Sequence, residues 1–277
     1  METAEVNEIK LEFESRGTGE PVVLIHGSAV ADSYLPLMGE RSLSARYRLV
    51  RYRRRGYGGS SHSRPPVSIP DQANDCRALI RHLGIRNAHV VGHSYGGVIA
   101  TRVALDAPDV VHSLSLLEPA FVGLLSAATA PGVDLARAIQ NYRAGNKRDA
   151  IDDFLARVAG VRYRANLERV LPGGFEAAVA DADTFFQIEM PAIQEFNASF
   201  SADDLRRLRR PVLAAVGRDS VPLFREIHRL VLAVLPGVEA IEIPNAGHML
   251  QMENPKAVGE ALASFFARHP ISGSNRL

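Results

Sequence analysis

Ala88-His89-Val90-Val91-Gly92-His93-Ser94-Tyr95-Gly96-Gly97-Val98-Ile99-Ala100 is an apolar run that ends in Gly-x-Ser-x-Gly and passes at once into small-residue helical spacing. Read physically, a buried strand delivers Ser94 to a turn so tight that its side chain has little room. Gly92 and Gly96 remove the Cβ atoms that would clash there, and Gly97 lets the following helix lie close to the sheet. Ser94 then projects its hydroxyl from the turn, beside the backbone N–H groups of a new helix N-terminus. Taken alone, the turn also fits an inert serine. The rest of the chain decides.

Outward from that stretch, strands and helices alternate. Residues 6–14 read as an edge strand, and Val22-Val23-Leu24-Ile25 as a central strand covered on both faces. Further strands are expected at Arg48–Tyr52, His112–Leu117, Pro211–Gly217 and Ala240–Ile243. Helices are expected over about 71–83, 95–106, 223–235 and 255–268, the last opened by Asn254-Pro255. Between Ala120 and Arg210 the strand pattern vanishes and helical spacing replaces it: Val133 to Tyr142, Ala150 to Val158 and Phe175 to Phe185, punctuated by Pro131, Pro172 and Pro191. The pattern specifies an α/β fold with a doubly wound, mostly parallel sheet: a core in two parts, 1–119 and 211–277, with a helical lid, 120–210, inserted between them.

Composition narrows the function classes. A chain of 277 residues suits one α/β domain with an insertion. A net charge of +1 gives no push toward nucleic acid, and no apolar run is long enough to span a bilayer. Cys76 is the only cysteine, which leaves no disulfide framework and no thiolate metal cluster. Met1-Glu2-Thr3-Ala4-Glu5 has none of the layout of a secretory signal, so the expectation is a cytoplasmic protein with a small-molecule substrate and neither nucleic-acid nor membrane partners. Oligomeric state is left open.

With its Gly-His-Ser-Tyr-Gly-Gly turn, the chain resembles the α/β-hydrolase family, in which that turn is the nucleophile elbow. The resemblance covers nearly the whole chain outside the helical insertion. It implies that the loop His26-Gly27-Ser28 after the second predicted strand supplies one oxyanion-hole N–H, from Ser28, with the N–H of Tyr95 as the other. It implies His248, in Asn245-Ala246-Gly247-His248, as the catalytic histidine, whereas His93 is expected to point away from Ser94. The family usually shows Asp-x-Arg-Gly-x-Gly-x-Ser where this chain has Arg53-Arg54-Arg55-Gly56-Tyr57-Gly58-Gly59-Ser60. Arg53 thus stands where the aspartate is usual, and is a candidate for a substrate carboxylate or for a surface ion pair. His26 is read as a structural histidine and carried as a substrate-contact candidate.

The triad acid departs from the commonest pattern. Three residues past Gly217 stands Ser220, which carries no carboxylate, and Asp219 falls one residue early. Glu118, closing the strand after the elbow helix, matches the placement in haloalkane dehalogenases and zearalenone-type lactone hydrolases. A glutamate that ends an apolar strand also needs a partner to be buried. Glu118 is therefore the leading acid and Asp219 the alternative.

These residues lead to a serine hydrolase that cleaves a carboxylic ester or lactone through an acyl-enzyme on Ser94, with no metal and no organic cofactor. A serine at position 94 disfavours the carboxylate-nucleophile chemistry of dehalogenation. Carbon–carbon bond hydrolysis, a cofactor-free lyase or oxygenase reaction, and a non-catalytic ligand-binding relative remain as alternatives. Phe121, Phe185 and Phe186 in the insertion are candidates for an apolar substrate pocket.

Overall fold

The structure, a computed structural model, describes residues 1–125 and 134–271. Among them are strands β1 (Glu2–Val6), β2 (Ile9–Arg16), β3 (Glu20–Ile25), β4 (Tyr47–Tyr52), β5 (Ala88–His93), β6 (Val111–Leu117), β7 (Val212–Gly217) and β8 (Glu239–Ile243). They form one sheet in the order β1-β2-β4-β3-β5-β6-β7-β8. The β1–β2 and β2–β4 pairings are antiparallel and the rest are parallel.

The central strands are buried on both faces, as their unbroken apolar runs require. Alternate residues feed two cores. Val23, Ile25, Val90 and Leu114 pack with helices α3 (Ile69–His82) and α4 (Tyr95–Asp106), while Val22, Leu24, Val91 and Leu213 pack with the terminal helix Pro255–Arg268. Short helices α1 (Leu35–Met38) and α2 (Arg41–Ser44) precede β4.

The described residues between β6 and β7 form helices: α5 (Ala136–Arg143), α6 (Lys147–Ala159), α7 (Tyr163–Val170), α8 (Gly174–Ala180), a π-helical stretch Thr184–Glu189, α9 (Met190–Ser199) and α10 (Ala202–Arg206). Helices α11 (Pro222–Val234), α12 (Leu250–Glu253) and α13 (Pro255–Arg268) complete the core. No helix among the described residues is long and apolar enough to cross a membrane.

Three expectations need correction. The single edge strand over 6–14 is two strands, joined by Asn7 and Glu8 at φ 48° and 62°, the left-handed turn that a tight hairpin requires. The helix expected from about 71 begins at Ile69, because Ser68 accepts from the Asp71 N–H while the Asp71 side chain accepts from the Ser68 N–H. Phe175–Phe185 is not one helix, and Pro191 does not end one. Helix α8 stops at Ala180, and the π-helical stretch runs straight into α9 with Pro191 in its first turn. The wider π turn gives the proline ring room and asks for no N–H there. Pro131 and the expected start of a helix at Val133 lie outside the described residues.

His26, His89, His93 and His248 are each 5% exposed or less. Burial holds His26 and His93 well below the usual histidine range, His89 down at about 4 and His248 at about 3. Each ring therefore binds fewer protons in the folded chain than in the unfolded one between the ordinary histidine value and its own depressed value. Stability rises with pH across that window and is lost as pH falls. Glu118, pushed up by burial, acts in the opposite sense, against several histidines. The urea midpoint should drop between pH 7 and pH 5; an unchanged or higher midpoint at pH 5 would contradict this account.

Candidate active site

Strand register brings the key residues together. His93 pairs with Leu117 and Leu117 pairs with Ala215, so the residues that follow β5 and β6 emerge side by side at the carboxyl edge of the sheet. The Ser94 N–H donates to the Leu117 carbonyl at 3.0 Å, and the Glu118 N–H to the Ala215 carbonyl at 3.1 Å. Ser94 sits at φ 52° and Glu118 at φ 45°, left-handed conformations that a non-glycine residue holds at a cost. Around Ser94 the turn closes as its glycines allow. A Cβ on Gly92 would overlap the Gly96 carbonyl oxygen, and one on Gly96 the Ile25 carbonyl oxygen.

His248 reaches the pair from the loop after β8. Its Nε2 lies 3.1 Å from Ser94 Oγ and its Nδ1 lies 2.8 Å from Glu118 Oε2. The Gly217 N–H donates to Glu118 Oε1 at 2.7 Å, and the Ser220 hydroxyl to Oε2 at 2.8 Å. Burial pushes the Glu118 carboxyl up, and these two donors pull it back. Burial also keeps the His248 ring neutral. With Nδ1–H given to the carboxylate, Nε2 is the basic nitrogen facing the serine.

Asp219 is exposed, and its backbone N–H donates to the Ala246 carbonyl. Among the described residues the His248 ring is hydrogen-bonded to Glu118 and Ser94, not to Asp219. The position of the usual acid, Ser220, instead clamps the acid on the neighbouring strand.

Ser28 and Tyr95 border the space over Ser94. Tyr95 is the first residue of α4, where the N–H has no acceptor within the helix. Its side chain turns inward, accepting from Gln72 Nε2 at 2.8 Å beneath the Arg54 guanidinium.

His26 does not face this space. The Arg54 N–H donates to its Nε2 at 3.0 Å, its Nδ1 meets the Gly27 carbonyl at 2.7 Å, and its ring stands edge-on to Tyr57. It pins the loop, so its place among substrate contacts is corrected. Of the two readings of Arg53, the ion pair is the one present, and its place among substrate contacts is corrected. It is committed to Asp32 at 2.7 Å and to Glu12 at 2.8 Å, and is held firmly charged by them.

Over Ser94 opens a cavity of about 500 Å³, roofed by α6, the π-helical stretch and α9 through residues such as Phe154, Phe185, Met190 and Ile193. Phe185 lines it, stacked on Phe154 at 3.9 Å. Phe121 and Phe186 do not: Phe121 packs on Phe200 and Phe186 stacks on Tyr142, so both serve the packing of the helical segment. Among the described residues, no aspartate, glutamate, lysine, arginine or histidine lines this cavity.

Sequence reasoning missed four contributors. Phe224 lines the cavity and stacks on the His248 ring at 3.8 Å and 11°. His93 lies under His248, with its Nε2 2.8 Å from the His248 carbonyl. Arg54 and Glu189 form a buried ion pair at 2.5 Å that joins the Ser28 loop to the helical segment. The last had a signal, a lone carboxylate in the apolar run Phe185–Met190. Phe224 had none.

The Alpha/beta hydrolase family profile matches residues 22–261. The chain belongs to the alpha/beta hydrolase family. It is 29% identical to a Mycobacterium tuberculosis protein provisionally named non-heme bromoperoxidase BpoC, over 94% of this chain and 98% of that one. It is 23% identical to the soluble epoxide hydrolase of a Corynebacterium, over 95% and 96% of the two chains. The enol-lactonase of Burkholderia xenovorans superposes with a TM-score of 0.78 at 20% identity, over 96% of this chain and 100% of that one, and so shares the fold. As a member of this family the protein is a hydrolytic enzyme.

Glu118→Gln replaces the acceptor facing Nδ1–H with an amide that cannot hold an imidazolium. Loss of the orienting carboxylate in a serine triad costs on the order of ten-thousandfold in kcat. A strong fall in hydrolytic turnover is expected for Glu118→Gln, with Asp219→Asn staying close to wild type; the reverse ranking would move the acid to Asp219.

Proposed function

We propose that the protein is a serine hydrolase that cleaves an uncharged carboxylic ester or lactone through an acyl-enzyme on Ser94. The observation that carries this reading is the unbroken line from Glu118 Oε2 through His248 to Ser94 Oγ, opening into an apolar cavity with no charged side chain among the described residues that line it. His248 Nε2 takes the proton as Ser94 Oγ attacks the carbonyl carbon. The developing oxyanion is received by the N–H groups of Ser28 and Tyr95, and Glu118 steadies the imidazolium. His248 then protonates the leaving oxygen, and water releases the acyl group.

The helical segment over 120–210 acts as the lid. Its phenylalanines, methionine and isoleucine shed water from the reacting centre and select an apolar acyl or alcohol part. Charge decides against carboxylate-bearing substrates, including anionic diketones for carbon–carbon cleavage. A buried anion here would find no cation, because Arg53 is spent on Asp32 and Glu12.

A fluorophosphonate probe should label the wild type and not Ser94→Ala. In an ester panel, neutral aromatic or medium-chain acyl groups should exceed acetate in kcat/KM, and should exceed chains of equal length that end in a carboxylate by about tenfold or more. Preference for the anionic chain would overturn this reading of the cavity.

A further inference from the structure

Beside the large cavity lies a small one of about 20 Å³, bordered by Ser28, Ser33, His93, Ser94 and His248, with Phe154 closing it from α6. One water needs roughly 10–15 Å³ on this measure, so the space takes one water and nothing much larger than a methyl group. Most of its lining is apolar, including Val30, Leu155, Val158 and Met249, and the polar side chains among it distinguish the two. Ser33 is 2% exposed and His93 5%, and neither Ser33 Oγ nor His93 Nδ1 has a hydrogen-bond partner among the described residues. His93 Nε2–H is given to the His248 carbonyl, which leaves Nδ1 as an acceptor. That nitrogen faces the loop after β3, where a Cβ on Gly27 would stand 2.9 Å from it. Both unpaired side chains border the space, so a water there has buried polar groups to pair with, whereas a methyl has none to offer them.

We propose that this small cavity seats the water that releases the acyl group, held by the Ser33 hydroxyl and His93 Nδ1. The inference rests on the acyl-enzyme reading above. The water accepts from Ser33 Oγ–H and gives one hydrogen to His93 Nδ1. Once Ser94 is acylated, His248 Nε2 is released from the serine proton and takes the other. The water oxygen then bonds to the acyl carbon, its proton passes to Nε2, and the carbonyl π electrons move to the oxygen facing the Ser28 and Tyr95 N–H groups. Collapse breaks the bond from carbon to Ser94 Oγ, the proton on Nε2 returns to that oxygen, and the carboxylic acid leaves.

Ser33→Ala removes the donor, and Ser33→Val also fills the space. Each would be compared with wild type by the rate of Ser94 labelling with a fluorophosphonate, by steady-state turnover of a neutral nitrophenyl ester, and by the mass of the acid-quenched enzyme. Labelling should stay within about threefold, showing a folded site with acylation intact. Turnover should fall about tenfold for Ser33→Ala and further for Ser33→Val, with the acyl adduct accumulating. Methanol added as a competing acceptor should raise the ratio of methyl ester to acid in both variants. Unchanged turnover, or turnover and labelling falling together with no adduct, overturns the water site. Failure of the wild type to be labelled at Ser94 overturns the acyl-enzyme reading itself, and the water site with it.

Discussion

A single guanidinium ties the working parts of this molecule together. Arg54 is 1% exposed. It donates to the carbonyls of His26 and Gly27 and to Gln72 on α3, and it is ion-paired with Glu189 at the end of the π-helical stretch. Its plane lies over Tyr57 and Tyr95. The loop after β3, the start of α4 and the helical segment are thus fastened to one buried charge. Such a charge is tolerable only with all its partners in place, and removing one typically costs about 3–5 kcal/mol. The arrangement makes the position of the Ser28 loop conditional on the position of the helices that roof the cavity.

The sheet supplies the remaining precision. Ser94, Glu118 and the Gly217–Ser220 loop follow β5, β6 and β7, which are neighbours in register. A one-residue slip would turn their side chains to the opposite face. The strain at Ser94 and Glu118 is held by the backbone bonds that continue the ladder past each strand end.

What could be read in the sequence follows from this division. The elbow is a local motif, and Glu118 stood out because a carboxylate closing the apolar run of β6 is costly without a partner. The central strands are unbroken apolar runs, so they were legible as well. Contacts across long sequence separation were not. Nothing local announces that Phe224 stacks on His248, or that Arg54 among three consecutive arginines is the buried one while Arg53 pairs at the surface. The Asn7–Glu8 hairpin lacks a glycine, the usual sign of its backbone, and the π-helical turn has no period distinct enough from an α-helix to show in six residues. Ser220 was legible only as an absence. Its hydroxyl turned out to face the carboxylate it does not itself supply.

The uncharged wall of the large cavity has a consequence for the direction of traffic. On the ester reading proposed above, a neutral reactant enters at no electrostatic cost, and hydrolysis turns its acyl half into an acid that is ionised at neutral pH. The new carboxylate then lies at Ser94 beneath a roof of Phe154, Phe185 and Ile193, with no lysine or arginine among the described lining residues to compensate it. The surface that welcomes the reactant expels the product, so departure is driven by the charge that the reaction itself creates.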